Sequence, residues 1–293
     1  MDQDQTRTGE KSTCGMYVVG LIDLLNQGKQ LDEWSSFPST DAEESDFKGA
    51  LKRTVGQVHA LREAFERFVE VYTRSERKTD ALRAAFTEEQ NAECQKLTGA
   101  QLGRQCFSDT VVLYSPLGIP GGGTTVNGLH GMLLGSASVL LLGLAKAIPL
   151  RGGIEVGMAI DCFPNEIYGP VLRRAYLLEQ YVAQYPRVVV GQGAIAYLQH
   201  CVNAPRGNLG TEWNRVMASK CLRLVARDQD GAYFVDFLSD DVHELYRDKP
   251  EYREQVIKGH AFAKREQERF VDEGDHKLAL RYAWLRQYYE SRI

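Results

Sequence analysis

Short apolar runs and helical periodicities alternate along the chain. Met16 to Leu25, MYVVGLIDLL, is a β-branched apolar run that predicts a buried strand carrying one acid, Asp23. Residues 29–41 read as a loop, with Ser-Ser-Phe-Pro-Ser as breakers. Phe47, Leu51, Val55, Val58, Leu61, Phe65, Phe68 and Tyr72 recur at spacings of three and four, which predicts one long amphipathic helix. TRSERKTD ends it, and a second helix is expected over 81–97. QLGRQCFSDTVVLYS, 101–115, predicts two β segments around Ser108-Asp109, followed by a Gly/Pro loop over 116–123. An apolar helix is expected over 128–148 and a strand over 151–160, RGGIEVGMAI. A helix follows over 170–185, with proline near its first turn, and then a short strand over 187–190.

Past residue 205 the pattern changes. CLRLVARDQDGAYFVDFL, 221–238, predicts a hairpin on an Asp-Gly turn, and 240–292 is charged and helical. Strands and helices in this order give an α+β class rather than a regular βαβ alternation.

Composition narrows the class. At 293 residues, 43% hydrophobic and 25% charged, the chain is neither a disordered polymer, a collagen repeat nor a disulfide miniprotein. A net charge of −4 gives no general electrostatic reason for a nucleic-acid partner. The six cysteines form no CxxC pair, which argues against a zinc knuckle. The polar head, MDQDQTRTGEKST, lacks the apolar core of a signal peptide, so a reducing cytoplasm is expected. GMLLGSASVLLLGLA, 131–145, is uncharged but shorter than the roughly 20 residues of a membrane span, so no membrane partner is expected.

Asp23 lies inside VVGLIDLL and Asp109 between Phe107 and TVVLY. An isolated buried carboxylate is costly, so it needs hydrogen bonds or a cation. Taken singly, each is more simply a strand-end or turn residue bonded to backbone amides. The pair points to a cation only where its strands adjoin. Gly121-Gly122-Gly123 is no P-loop, for GxxxxGK[ST] is absent. Asp228-Gln229-Asp230-Gly231 opens like a calcium loop but lacks the acid at the twelfth position, and reads as a hairpin turn. No HExxH or GxSxG occurs.

In order, four segments resemble class III nucleotide cyclases: VVGLIDLL, FSDTVVLYS, RGGIEVG and YGPVLRRAYLLEQYVAQYPRVVV. Within that class the set is similar to the bacterial pyrimidine cyclases of Pycsar anti-phage systems. The resemblance implies a cyclase domain over 14–205 with an antiparallel sheet flanked by helices; the polar composition of 1–13 predicts a disordered head. A C-terminal hairpin and helical extension covers 206–293. It implies conversion of UTP, or alternatively CTP, to the 3′,5′-cyclic nucleotide and pyrophosphate, acting on a separate cyclic-nucleotide-activated effector. Two Mn²⁺ or Mg²⁺ ions are implied, held by Asp23, Asp109 and the Leu24 carbonyl. Hard oxygen donors suit such ions. Amides of Leu25, Asn26 and Gln27 are implied to contact the phosphates, and a homodimer is implied to share its active sites.

The departures from the family pattern bear on the substrate. Asn26-Gln27 stand where Gly-Phe is frequent. The places of the purine cyclases' transition-state asparagine and arginine hold Arg173 and Leu177, so Arg173 is expected to supply positive charge. Arg104 and Tyr168 fall nearest the base-reading positions. Alternatives are a cyclase-like module that binds a nucleotide without turnover, and a helical interaction protein.

Overall fold

The computed structural model describes residues 13–25, 27, 31, 37–74, 87–89, 102–118, 124–163 and 166–292. The head over 1–12, most of the 29–41 loop, the helix expected over 81–97 (but for 87–89) and the glycine triplet lie outside the described residues. The architecture is α+β. An eight-stranded sheet runs through the molecule, built from β1 (Thr13–Leu24), β2 (Gly103–Phe107), β3 (Thr110–Pro116), β4 (Leu150–Phe163), β5 (Glu166–Tyr168), β6 (Val188–Val190), β7 (Val225–Arg227) and β8 (Tyr233–Val235). Their spatial order is β2-β3-β1-β4-β6-β8-β7, with β5 paired to β4 outside that path. The sheet is mostly antiparallel, as expected, and only β4 with β6 pairs parallel among the described strands. The chain between those two strands crosses over the sheet as a helix, and a crossover returns a strand parallel.

Alternation along β1 explains the two layers. Val18, Ile22 and Leu24 point into the larger core, and Tyr17, Val19 and Leu21 into the smaller one. The larger core is covered by α2 (Val55–Arg74) and α3 (Asn127–Ala145), with α1 (Asp41–Arg53) packed against α2. The expected single helix over 47–72 is thus two, broken at Thr54, whose hydroxyl turns back onto the Ala50 carbonyl at 2.8 Å. The apolar run at 131–145 is in α3, which packs against β3, α2 and the C-terminal helices. It is long and apolar enough to cross a membrane, yet most of its surface is covered by this fold.

The smaller core lies under α4 (Pro170–Leu177), which passes directly into a π-helical turn, Leu178–Ala183. The helix expected over 170–185 therefore changes pitch halfway. Two helices not foreseen follow, α5 (Gln192–Asn203) and α6 (Leu209–Arg223). The buried carboxylate of Glu155 accepts the Ala194 amide at 2.9 Å in the first turn of α5, an anion at the positive end of a helix. The residues Cys221 to Arg223, expected in the hairpin, are the last turn of α6. The boundary expected at 205 falls between α5 and α6, while β8 beyond it bonds to β6 before it, so one sheet runs through both parts.

The chain closes with α7 (Asp240–Tyr246), α8 (Pro250–Asp272) and α9 (His276–Glu290). Between α8 and α9 the Tyr289 ring is fully buried and its hydroxyl has no hydrogen-bond partner. A buried, unpaired hydroxyl costs free energy, so Tyr289→Phe is expected to raise stability by about 1 kcal/mol. Urea unfolding checks this. The Tyr289 hydroxyl abuts the α-carbon of Gly259, where a methyl group would strike it. Gly259→Ala should therefore destabilise less in the phenylalanine background than in the wild type.

Candidate functional site

The register of β1 assembles the site. Asp23, one residue from the strand's end, sits opposite Thr110 of β3 on one side and Arg151 of β4 on the other. Asp109 is in the two-residue turn between β2 and β3, directly before Thr110, so the two acids meet at one corner of the sheet. Ser108 in that turn has a φ of 50°, and Arg62 of α2 donates to its carbonyl at 2.8 Å, pinning the turn. Thr110 donates its hydroxyl to Asp23 Oδ1 at 2.9 Å, and Arg151 Nη2 lies 3.4 Å from Oδ2. Burial, with repulsion from Asp109 added, raises the Asp23 pKa, while Thr110 and Arg151 work against that.

A third acid joins them. Arg151 also pairs through Nε with Glu179, on the π-helical turn, whose carboxylate is only 4% exposed. Burial pushes Glu179 up to about 7; Arg151 lowers it, and the charges of Asp23 and Asp109 raise it further. The glycines of the RGGI segment permit this arrangement. A Cβ on Gly153 would strike the Ala175 carbonyl and come within 2.7 Å of Leu178 Cβ, so only glycine lets the π-helical turn lie flat on β4.

Asp23, Arg151 and Glu179 stand along a cleft of about 980 Å³, with Thr110, Arg173 and Tyr176 among its other walls. Phe107 and Tyr168 are exposed apolar rings at the same cleft. A smaller pocket of about 210 Å³ lies by Asp109, lined by Gln27, Thr54 and Val58. The acids thus stand between two cavities.

The sequence-derived residues divide accordingly. Asp23, Asp109, Arg173 and Tyr168 line one cavity or the other. Gln27 is buried and donates its side-chain amide to Gln57 at 2.7 Å. Asn26 lies outside the described residues. Leu24 is buried opposite Leu150. The Leu25 amide, expected to meet a phosphate, instead donates to the Pro149 carbonyl at 3.0 Å. Arg104 faces the other side of the sheet, where it pairs with Glu66 of α2 at 2.5 Å, remote from the cleft. Its neighbour Gln105 shares the face of Phe107, opposite Val112 of the cleft wall, and its side-chain oxygen is buried without a partner. Glu179 and Gln105 are functional candidates missed from sequence, and Arg151 was read only as part of a motif.

Fitness for divalent cations is decided by the donors. Among the described residues no three His, Cys, Asp or Glu side chains form a ligand cluster. Two adjacent carboxylates, Asp109 raising the proton affinity of Asp23, do form a hard-oxygen pair, and a cation between them would relieve that repulsion. The residues fit such ions, with backbone or substrate oxygens completing the shell.

The molecule is thus an α+β sheet protein with a carboxylate pair at the head of an open cleft. No family model matches the sequence, and no curated protein does. Among solved structures it is similar to a bacterial light-regulated adenylyl cyclase, with 12% identity and a TM-score of 0.41, over 81% of this chain and 57% of that one.

Proposed function

We propose that the chain is a nucleotide cyclase that converts UTP to 3′,5′-cyclic UMP and pyrophosphate. The observation that carries this is the meeting of Asp23 and Asp109 at one corner of the sheet, with Arg151 between Asp23 and Glu179 at a cleft of nucleotide size. In the reaction the ribose 3′-oxygen bonds to the α-phosphorus, the bond from that phosphorus to the bridging oxygen breaks, pyrophosphate leaves, and the hydroxyl proton passes to solvent. Two Mn²⁺ or Mg²⁺ ions held by Asp23, Asp109 and the Leu24 carbonyl would acidify the hydroxyl and neutralise phosphate charge. Arg151, at the inner wall, is placed to meet phosphate oxygens as they gain charge, and Arg173 does so from the N-terminal turn of α4. The π-helical turn holds Glu179 beside Arg151 and keeps that guanidinium from turning out to solvent.

Base choice in this reading falls to Gln105 and Tyr168 rather than Arg104. A primary amide offers both a donor and an acceptor, so it matches a pyrimidine edge in either orientation. This is why cyclic CMP is the second expected product. Incubation with equal UTP, CTP, ATP and GTP plus Mn²⁺, followed by mass analysis, tests it. Cyclic UMP should dominate, and a dominant purine product overturns the pyrimidine assignment. Gln105→Ala should change the UMP to CMP ratio, whereas Arg104→Ala should leave it unchanged.

The exposed rings of Phe107, Tyr168 and Tyr176 at the cleft support a homodimer in which each subunit closes the other's site, since contiguous exposed apolar surface marks contact sites. Mixing inactive Asp23→Asn with inactive Arg173→Ala subunits should then restore part of the activity, one intact site per mixed dimer. Full activity of a strictly monomeric species in light scattering would rule out shared sites. By the resemblance of the four sequence segments to Pycsar cyclases, the product serves as a cytoplasmic second messenger that activates a separate effector in anti-phage defence. Loss of phage protection in cells carrying the Asp23 variant tests that role.

A further inference from the structure

The π-helical turn Leu178–Ala183 carries Glu179 and Gln180 into the cleft. Such turns are rare and concentrate at functional sites. This one ends at Gln184, whose φ of 28° lies where a residue with a Cβ is strained. A conformation of this kind persists only when its surroundings hold it in place.

Arg187 supplies that hold. Its side chain is fully buried, at 0% exposure. Nε donates to the Ala183 carbonyl at 3.2 Å and Nη2 to the Val182 carbonyl at 2.8 Å, the last two carbonyls of the π-helical turn. The other donors go to acids of the β7–β8 turn: Nη1 to Asp228, and Nη2 to Asp230 at 2.6 Å. The guanidinium lies over the Tyr185 ring at 4.5 Å and the Trp284 ring of α9 at 5.6 Å. Trp284 in turn stacks on Tyr185 and donates its indole N–H to Asp228 at 3.0 Å. The main-chain carbonyl of Arg187 accepts the Gly152 amide at 3.1 Å, next to Arg151. A single residue therefore touches the segment of Glu179, the strand of Arg151 and two elements of the C-terminal region.

The acids of Asp228-Gln229-Asp230-Gly231 acquire a purpose here. Burial alone would raise Asp230, but its bonds to Arg187 and to the Ala232 amide outweigh that and hold it below the usual range. Both acids are spent on a buried cation that would otherwise stand uncompensated.

We infer that Arg187, clamped by Asp228, Asp230 and Trp284, is a positioning residue that sets Glu179 and Arg151 in the cleft, so that the C-terminal hairpin and α9 complete the site without entering it. This rests on the cleft being the reaction site, but its test does not depend on turnover. Arg187→Lys keeps the charge and loses the fork to the two carbonyls. Hydrogen exchange, read by mass spectrometry, should speed by about tenfold at amides of 178–183 while those of α3 keep their wild-type rates, the loss of roughly one charged hydrogen bond. The carbon-13 titration of the Glu179 carboxyl should move toward the ordinary carboxylate range as the residue leaves its buried place. Asp230→Asn, at the half-exposed one of the two acids, is the milder variant, and should give the same pattern at smaller amplitude if the lysine variant fails to fold. Unchanged exchange at 178–183 in a folded variant, or a uniform rise across the whole fold, overturns the inference. If the wild type cyclises no nucleotide, the proposed function fails while exchange and titration still decide the positioning role.

Discussion

Replacing Asp23 with asparagine is expected to abolish cyclisation while leaving the chain folded. The amide oxygen can still accept the Thr110 hydroxyl, which lies 2.9 Å from Asp23 Oδ1, so the β1–β3 corner keeps its bond. Arg151 loses one partner and retains Glu179. What disappears is the charge that a divalent cation needs, and a neutral amide is a poor ligand for a hard ion. Because burial and Asp109 already raise the Asp23 pKa, removing its charge relieves a destabilising burden. The melting temperature should stay level or rise. Activity should fall by at least roughly 10²–10³-fold, the scale seen when a group that stabilises transition-state charge is removed. Asp109→Asn should do the same, since its turn is pinned by Arg62 through a backbone carbonyl and not through the acid. Mn²⁺ titration by calorimetry should lose most of its heat in both variants. Turnover near the wild-type rate in either folded variant would remove the two-carboxylate assignment.

What the sequence made legible, and what it hid, follows from the range of the forces involved. Asp23 could be singled out because an acid inside a β-branched run is locally anomalous, and Asp109 because it breaks two β segments. Their meeting depends on the β1–β3 register, which no local pattern encodes. Arg104 was assigned to the base by the family resemblance alone; Gly103–Phe107 is five residues without clear apolar alternation, so its faces could not be told apart, and packing against α2 decides them. Glu179 was invisible for a different reason. In LLEQYVAQY it looks like an ordinary polar helix residue, and only the change of pitch at Leu178 with the glycines of β4 turns it inward. The Asp-Gly turn was correctly placed as a hairpin, but its acids serve Arg187, 41 and 43 residues away in sequence.

Glu179→Gln should make the protein more stable at neutral and alkaline pH. The sign follows from the direction of the shift. Burial raises Glu179 from 4.5 in the unfolded chain to about 7 in the fold. The folded state therefore binds the proton more tightly than the unfolded state does. Below pH 4.5 both states are protonated and the group contributes nothing. As pH climbs from about 4.5 to about 7 the unfolded chain ionises freely while the fold resists, and stability is lost; above about 7 the loss is constant. A shift of this size corresponds to about 3 kcal/mol. Glutamine mimics the protonated acid, so variant and wild type should match near pH 4.5 and diverge to about 3 kcal/mol in favour of the variant by pH 8, as read by urea unfolding across that range. Asp23 shifts in the same direction but is present in both proteins, so it cancels from the difference. Equal stabilities at pH 8 would mean that Arg151 fully compensates the buried charge. Divergence would mean that the chain keeps an ionisable acid beside Arg151 at the expense of its own stability. Stability surrendered at a cleft is the mark of a group retained for chemistry, and the glutamine variant should then be the more stable protein and the poorer cyclase.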